Sequence, residues 1–479
     1  MSENTQGVGA ASEQGESWTS EWGTVSAQST SCANTQGTYC DTPVTVLRAD
    51  ALITKQRTVC NAELWFADGK IIAVGEQRKL GDPPANSVVK DLAGRVLMPG
   101  LANGHTHSAM TLQRGVDDDN GFMPWLAQVQ AFEQHLTHDD VRAGLELAML
   151  EMIATGTVAF ADMYYWDYEL LETVRRAGMR VAAAVAVTTP DASMFPGVTS
   201  RTGAAELAHT AKLAEHYANS GQIIVHYGPH APYSVPREYF EQIIALSKQS
   251  GIPIHTHIAE SPAETEQMLA RTGLHPASYM RELGLFEVRT LAAHCVCLEP
   301  QEIADMVAAQ VTLSHNPVSN LKLGNGVAMF PEWLAAGAKV SLGTDSVASN
   351  NSLDLFEEMK LATVLHRGAR QDSTAVTSRE VFNVATAGGA RAIGFAQSGE
   401  LEVGMQADII ALDVTGINAI PHDNLLSHIV FAASGRDVCE VWVAGRHLYS
   451  EGRYLTLDAA DIKVRAAASA ARLRELSGV

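Results

Sequence analysis

His105-Thr106-His107 follows the apolar run Val96-Leu97-Met98-Pro99-Gly100-Leu101, which reads as a buried strand, so two imidazoles emerge together where that strand ends. Three further strand-like runs end in the same way. Ile252-Pro253-Ile254 leads to His257 and Glu260, Thr290-Leu291-Ala292-Ala293 to His294, and Val340-Ser341-Leu342-Gly343-Thr344 to Asp345. Parallel strands closed into a barrel deliver their C-terminal ends to one mouth, so this recurrence fits a metal-dependent (β/α)8 barrel enzyme.

Between residues 99 and 395 the pattern alternates. Candidate strands fall at 99–104, 158–163, 180–187, 222–227, 252–257, 289–294, 310–315 and 339–344, with helical periodicity between them. In the helix expected over 138–155, Thr137 is the N-cap, Asp139 and Asp140 favour the first turn, and Gly156 follows the end. Val141, Leu145, Ala148, Met149 and Met152 form its buried stripe.

Short strands flank this region. Val44–Ala49 and two runs about Asp68-Gly69 precede it, and Ala407–Leu412 and Val441–Tyr449 follow it. The expected organisation is a β-sandwich domain from residues 43–98 and 396–460, a catalytic barrel over 99–395 and a C-terminal helix over 461–479. Residues 1–42, rich in Ser, Thr, Gln, Gly and Ala and without Lys or Arg, read as a disordered extension, with Trp18 and Trp22 inside it.

The 479-residue chain carries a formal charge of −20, which opposes nucleic-acid binding, and no basic stripe offsets it. The six cysteines (Cys32, Cys40, Cys60, Cys295, Cys297, Cys439) match neither a disulfide framework nor a thiolate zinc site, so a cytoplasmic setting is expected. No apolar stretch approaches the ~18 residues of a membrane span. The N-terminus lacks the basic and apolar regions of a secretory signal. Gly324-Asn325-Gly326 fails the dinucleotide pattern, and there is no phosphate-loop lysine motif.

Residues i and i+2 of an extended strand share a side, so His105 and His107 can face one ion, with His257 adding a third nitrogen and Asp345 an oxygen. Three neutral imidazoles and a carboxylate suit Zn²⁺ or Fe²⁺, leaving room for water whose pKa falls toward ~7. Glu260 is placed to reach a substrate atom beside the ion, and it also suits the start of a helix at Ser261-Pro262. His294 is a candidate base that orients the water, and the adjacent Cys295-Val296-Cys297 reads as packing. His255 faces the same way as His257 but deeper, as a structural residue. His230, held between Pro229 and Pro232 after the fourth strand, reads as a substrate contact. No lysine falls within 222–227, so no carbamylated lysine can bridge two metals there, and a mononuclear site is expected.

Over residues 44 to about 475 the chain resembles the 5′-methylthioadenosine/S-adenosylhomocysteine deaminases of the amidohydrolase superfamily. The resemblance rests on Pro99–His107, Met110–Gly115, Gly228–Tyr233, Ala292–Val296, Ser314–Gly326 and Gly343–Asn351, of which the long Ser314–Gly326 stretch is the most diagnostic. It implies metal ligands His105, His107, His257 and Asp345, catalytic or substrate roles for Glu260 and His294, and substrate contacts at Trp125, Glu133 and His230. It further implies that Asp345 both ligates the metal and accepts the water proton. One feature departs from the family. Members carry an arginine near the end of the third strand for the amino-acid end of S-adenosylhomocysteine, but here Val181–Val187 is apolar, and Arg201 in the following loop is the only nearby candidate.

The expected activity is hydrolytic deamination of an adenine nucleoside, acting as a homo-oligomer with one divalent metal ion, no nucleic acid and no membrane. Hydrolysis of another aminated or chlorinated azine (triazine, pterin or guanine-like) would use the same site. A non-catalytic barrel acting as a binding protein is the alternative of a different class.

Overall fold

The computed structural model describes residues 43–421 and 423–478; the extension expected over 1–42, with Trp18, Trp22, Cys32 and Cys40, lies outside them. The chain opens with β1 (Thr45–Ile53), β2 (Thr58–Ala67), β3 (Lys70–Glu76) and β4 (Val88–Pro99). Eight strands then alternate with helices: β5 (Leu101–Thr106), β6 (Thr157–Tyr164), β7 (Arg180–Val187), β8 (Ile223–Pro229), β9 (Ile254–Ile258), β10 (Thr290–His294), β11 (Thr312–His315) and β12 (Lys339–Leu342). The chain returns to strands with β13 (Ile409–Asp413), β14 (Val438–Val443), β15 (Arg446–Ser450) and β16 (Arg453–Tyr454), and a helix over Ala459–Ser477 follows.

β5 to β12 pair in sequence order, every pair parallel. The seam between β12 and β5 closes through side chains and loop backbone. The Asp345 N–H donates to the His105 carbonyl at 2.9 Å, and the Asn103 amide donates to Thr344 Oγ1 at 2.7 Å. A Cβ at Gly104 would collide with Ser341, so glycine permits this approach. The expected α/β barrel is the fold observed, with helices outside and a packed apolar interior.

The other eight strands form one mixed sheet, ordered β16-β15-β14-β13-β4-β1-β2-β3. It encloses its own core of Leu47, Leu64, Phe66, Leu97, Ile409 and Trp442. The segment before β13 bridges back to β3 through Ile71 N–H to Met405 O and Ala407 N–H to Gly69 O. Strands from both ends of the chain thus share one hydrophobic interior.

The run read as one strand, Val96–Leu101, is divided between the sheets. Through Pro99 it belongs to β4, which pairs with β1 and β13, and Leu101 begins the barrel. Gly100 makes the crossing, where a Cβ would strike Val158. The apolar pattern is continuous across the junction because both halves are buried.

Two helices follow β5. Helix α1 (Phe122–Glu133) follows the short 3₁₀ segment after β5. Helix α2 (His138–Ala154) carries the expected Thr137 cap, completed as a capping box by Asp140, and all five residues of its expected stripe are buried.

Candidate metal centre and active site

His105 and His107 reach one point by a route other than simple strand alternation. On β5, Asn103 pairs with Phe160 and Thr106 with Asp162, so three steps face two and a bulge falls at Gly104-His105. The strand ends at Thr106, and the two rings meet edge to face at 4.8 Å. Bulges re-aim side chains beside functional sites, which replaces the extended geometry expected from the sequence.

Each of the three histidines is held through Nδ1. His107 Nδ1 donates to Met163 O at 2.6 Å, His257 Nδ1 to His230 O at 2.7 Å, and His105 Nδ1 lies 2.9 Å from His255 Nε2. This fixes the rings and leaves Nε2 facing inward. Asp345 Oδ1 stands 3.3 Å from Nε2 of both His105 and His107, and His107 Nε2 is 3.3 Å from His257 Nε2. Donors bonded at 2.0–2.1 Å to a common tetrahedral centre lie about 3.3–3.4 Å apart, so the set fits a zinc-sized ion. The buried His105 Nε2 faces the Asp345 carboxylate across 3.3 Å and has no other hydrogen-bond partner, as a nitrogen turned toward a cation would. His294 joins a wider group with His105 and His257, whose nitrogens lie within 4.8 Å of one another.

Burial alone would raise the Asp345 carboxyl, but His105 at hydrogen-bonding range and the imidazoles of His294 and His107 hold it well below the usual carboxylate range. Its Oδ2 accepts from the hydroxyls of Ser319 and Ser349, both at 2.6 Å. Glu260 experiences the opposite environment. Burial, then the Asp345 charge, push its carboxyl up to about 8, against the opposing pull of His107 and of Asn325 Nδ2 at 3.3 Å. Glu260 is therefore a protonated acid at neutral pH. His294 Nδ1 is tied to Asn320 Oδ1 at 2.9 Å, and its Nε2 lies 3.9 Å from Glu260.

Glu260 does not start the following helix, as its sequence position also allowed. Ser261 caps Pro262–Thr272, and Glu264 accepts the N–H groups of Glu260 and Ala259. Ala259 (φ 53°), His294 (φ 71°) and Asp345 (φ 58°) all sit in the left-handed region where their strands end. Such conformations are costly for residues with a Cβ, and they turn these side chains into the mouth.

The mouth opens into a cleft of about 780 Å³, counting the space open to solvent. Helix α1 covers it with Phe122, Trp125, Leu126, Val129, Gln130 and Glu133. Trp125 is buried and donates Nε1–H to Ala348 O at 3.2 Å, so it packs and lines the cleft together. Glu133, raised by burial, accepts from Tyr164 Oη at 2.6 Å. His230 stacks obliquely on His257 at 4.8 Å and is kept neutral, its value lowered by burial to about 4. Among the described residues, no lysine or arginine lines the cleft.

Arg201, expected to meet the substrate, is not among the residues that line the cleft. It pairs with Glu206 at 3.0 Å, donates to Tyr165 Oη at 2.9 Å and lies over the Tyr165 ring. Cys295 is buried with its thiol pushed well up by burial, as packing requires, and the described cysteines are free. Sequence reasoning gave no role to Ser319, Asn320, Asn325 or Ser349. All four lie within the Ser314–Gly326 and Gly343–Asn351 stretches, which were the available signal.

A closed parallel barrel with three histidines and an aspartate converging at its mouth defines a metal-dependent hydrolase. The pattern of the amidohydrolase family matches residues 96–448, and the chain belongs to that family. It is 36% identical over 423 residues to a 5-methylthioadenosine/S-adenosylhomocysteine deaminase of Lawsonia intracellularis, covering 88% of this chain and 94% of that one. It is 38% identical over 417 residues to the Pelotomaculum thermopropionicum protein of the same name, covering 86% and 94%. An adenosine deaminase from Xanthomonas campestris with bound zinc superposes with a TM-score of 0.85 at 29% identity, over 90% of this chain and 98% of the other. The chain is a metal-dependent hydrolase of C–N bonds whose cofactor is a single divalent ion, zinc in that neighbour.

Proposed function

We propose that this enzyme hydrolyses the 6-amino group of adenine nucleosides with short, uncharged 5′ substituents, releasing the hypoxanthine analogue and ammonia. The observation that carries the reading is Glu260, a buried carboxyl 3.9 Å from His294 Nε2 and pushed up to about 8 by burial and the neighbouring Asp345, in the cleft beside the metal-ligand group. His105, His107, His257 and Asp345 would hold the divalent ion, which supplies Lewis acidity that makes water nucleophilic near neutral pH.

Glu260 donates its proton to the ring nitrogen next to C6, relieving the negative charge that addition of water to C6 creates. His294, its Nδ1 committed to Asn320, takes a proton from the water on Nε2, and Asp345 Oδ1 shares that task. The tetrahedral carbon then expels ammonia, which leaves with the proton taken up by His294 and Asp345, while the C6 hydroxyl, becoming the carbonyl, returns a proton to Glu260. The aromatic and apolar face of α1 covers the base, while Trp125, Glu133 and His230 contact the nucleoside. With Arg201 engaged by Glu206 and Tyr165, the described residues of the cleft offer no cationic side chain to a 5′ tail ending in a carboxylate.

We read the protein as a cytoplasmic homo-oligomer with a small-molecule partner and neither nucleic-acid nor membrane partners. Its charge of −20 supports the absence of nucleic acid, and no described helix is long and apolar enough to cross a membrane.

The test is turnover of 5′-methylthioadenosine, 5′-deoxyadenosine, adenosine and S-adenosylhomocysteine, followed by loss of the adenine chromophore, with guanine and an aminotriazine as controls. The two uncharged 5′-deoxy nucleosides should be processed at least as well as S-adenosylhomocysteine. A preference for S-adenosylhomocysteine abolished by Arg201→Ala would restore Arg201 to the substrate site, and turnover of the controls alone would overturn the reading.

A further inference from the structure

Lys322 ends the short helix Pro317–Lys322, and three oxygens surround its ammonium group. Asp118 Oδ1 lies at 2.6 Å, Asn351 Oδ1 at 2.5 Å and the Ala348 carbonyl at 3.1 Å. All three N–H donors are used, and the side chain is only 18% exposed. Asp118 also accepts from Asn351 Nδ2 at 3.2 Å.

The partners belong to three different segments of the mouth. Asp118 lies on the chain entering α1, just after Gly115 (φ 75°). Ala348 lies in the helix Val347–Asn350, and Asn351 caps it. That helix supplies Ser349 to Asp345, while the helix ended by Lys322 supplies Ser319 to Asp345 and Asn320 to His294. The Ala348 carbonyl that takes a proton from Lys322 also takes one from the Trp125 indole on α1.

We propose that Lys322 is a positioning residue that clasps α1 over the cleft and joins this cover to the two short helices holding Asp345 and His294. The clasp touches neither substrate nor reacting atoms. Its ammonium lies at the meeting point of the three segments, and with it removed the junction keeps only neutral-donor or main-chain links: Asn351 Nδ2 to Asp118, Arg114 to the Asn351 carbonyl and Trp125 to the Ala348 carbonyl. Helix α1 then lifts more often, so a nucleoside enters a less enclosed site. The proposal rests on the functional reading only for what the cleft encloses.

The experiment is hydrogen exchange on metal-loaded protein, comparing wild type, Lys322→Met and Asp118→Asn. Lys322→Met should speed exchange across Phe122–Glu133 by about tenfold or more, because charge-assisted hydrogen bonds close a local opening. The effect of Asp118→Asn should be smaller, because an amide oxygen still accepts. Exchange in β6 to β9 and metal content should match wild type. With a nucleoside that the enzyme turns over, KM should rise severalfold while kcat stays within about twofold, the signature of lost binding shared by ground and transition states. Unchanged exchange in α1 for both variants would overturn the proposal, as would acceleration spread evenly through the barrel. Because exchange needs no substrate, it judges the clasp even if the nucleoside panel fails.

Discussion

Glu260 and Asp345 are carboxyls buried at the same mouth, and their neighbours drive them in opposite directions. Asp345 faces imidazoles and two serine hydroxyls and stays ionised, whereas Glu260 is pushed toward its protonated form by burial and by the Asp345 charge. Glu260→Gln keeps the shape but cannot cycle a proton, so kcat should fall ~10²–10⁴-fold while metal content is retained. The same change should affect stability in a pH-dependent way. The unfolded chain sheds this proton above 4.5, the folded one only near 8, so native stability is lost as pH rises through that window. Thermal melts of metal-free protein should therefore show a larger gain from Glu260→Gln at pH 8 than at pH 5. An equal shift at both values would contradict the buried acid.

At the scale of elements, the site depends on how strands end. The β5 bulge aims His105, left-handed turns aim His294 and Asp345, and the short helices after β11 and β12 bring Ser319 and Ser349 onto one carboxylate oxygen. Removing both hydroxyls leaves Asp345 Oδ2 unpaired and its orientation free. Ser319→Ala combined with Ser349→Ala should weaken metal affinity ~10–100-fold, read by competition with a chelator. Apo and metal-loaded folds should otherwise match by circular dichroism.

For the whole molecule, barrel and composite sheet are joined by a buried ion pair. Arg180, at the start of β7, donates Nε–H to Asp408 Oδ2 at 2.9 Å and Nη2–H to Oδ1 at 3.2 Å, and Oδ1 also accepts the Ala444 N–H. Arg180→Ala strands a carboxylate that is fully buried and should cost ~3–5 kcal/mol in urea unfolding. Arg180→Met combined with Asp408→Asn should recover part of that loss. Metal acts at the same scale, because the native barrel binds it through residues from four strand ends that the unfolded chain does not assemble. Chelation should lower Tm and abolish activity, and one equivalent of Zn²⁺ per chain should restore both.

The sequence by itself determined the barrel, because strands buried on both faces must be short apolar runs, and eight of them stand at helix-length spacing. It also supplied the chemistry, since histidines and carboxylates directly after such runs have only the mouth to occupy. Within the run Val96–Leu101 itself, no residue breaks the apolar pattern where the chain changes sheet at Gly100, because both strands are equally apolar. Nor could the sequence show Ser319 on Asp345, 26 residues away, or Asn325 on Glu260, 65 residues away. Short polar side chains in loops have no periodicity, and their meaning comes from what the fold sets against them. Arg201 makes the same point in reverse: loop position made it a substrate candidate, and tertiary contacts with Glu206 and Tyr165 hold its guanidinium elsewhere. Residue type and strand position thus announced the reaction centre, while loop contacts, which only folding brings together, decided how each group is charged and aimed.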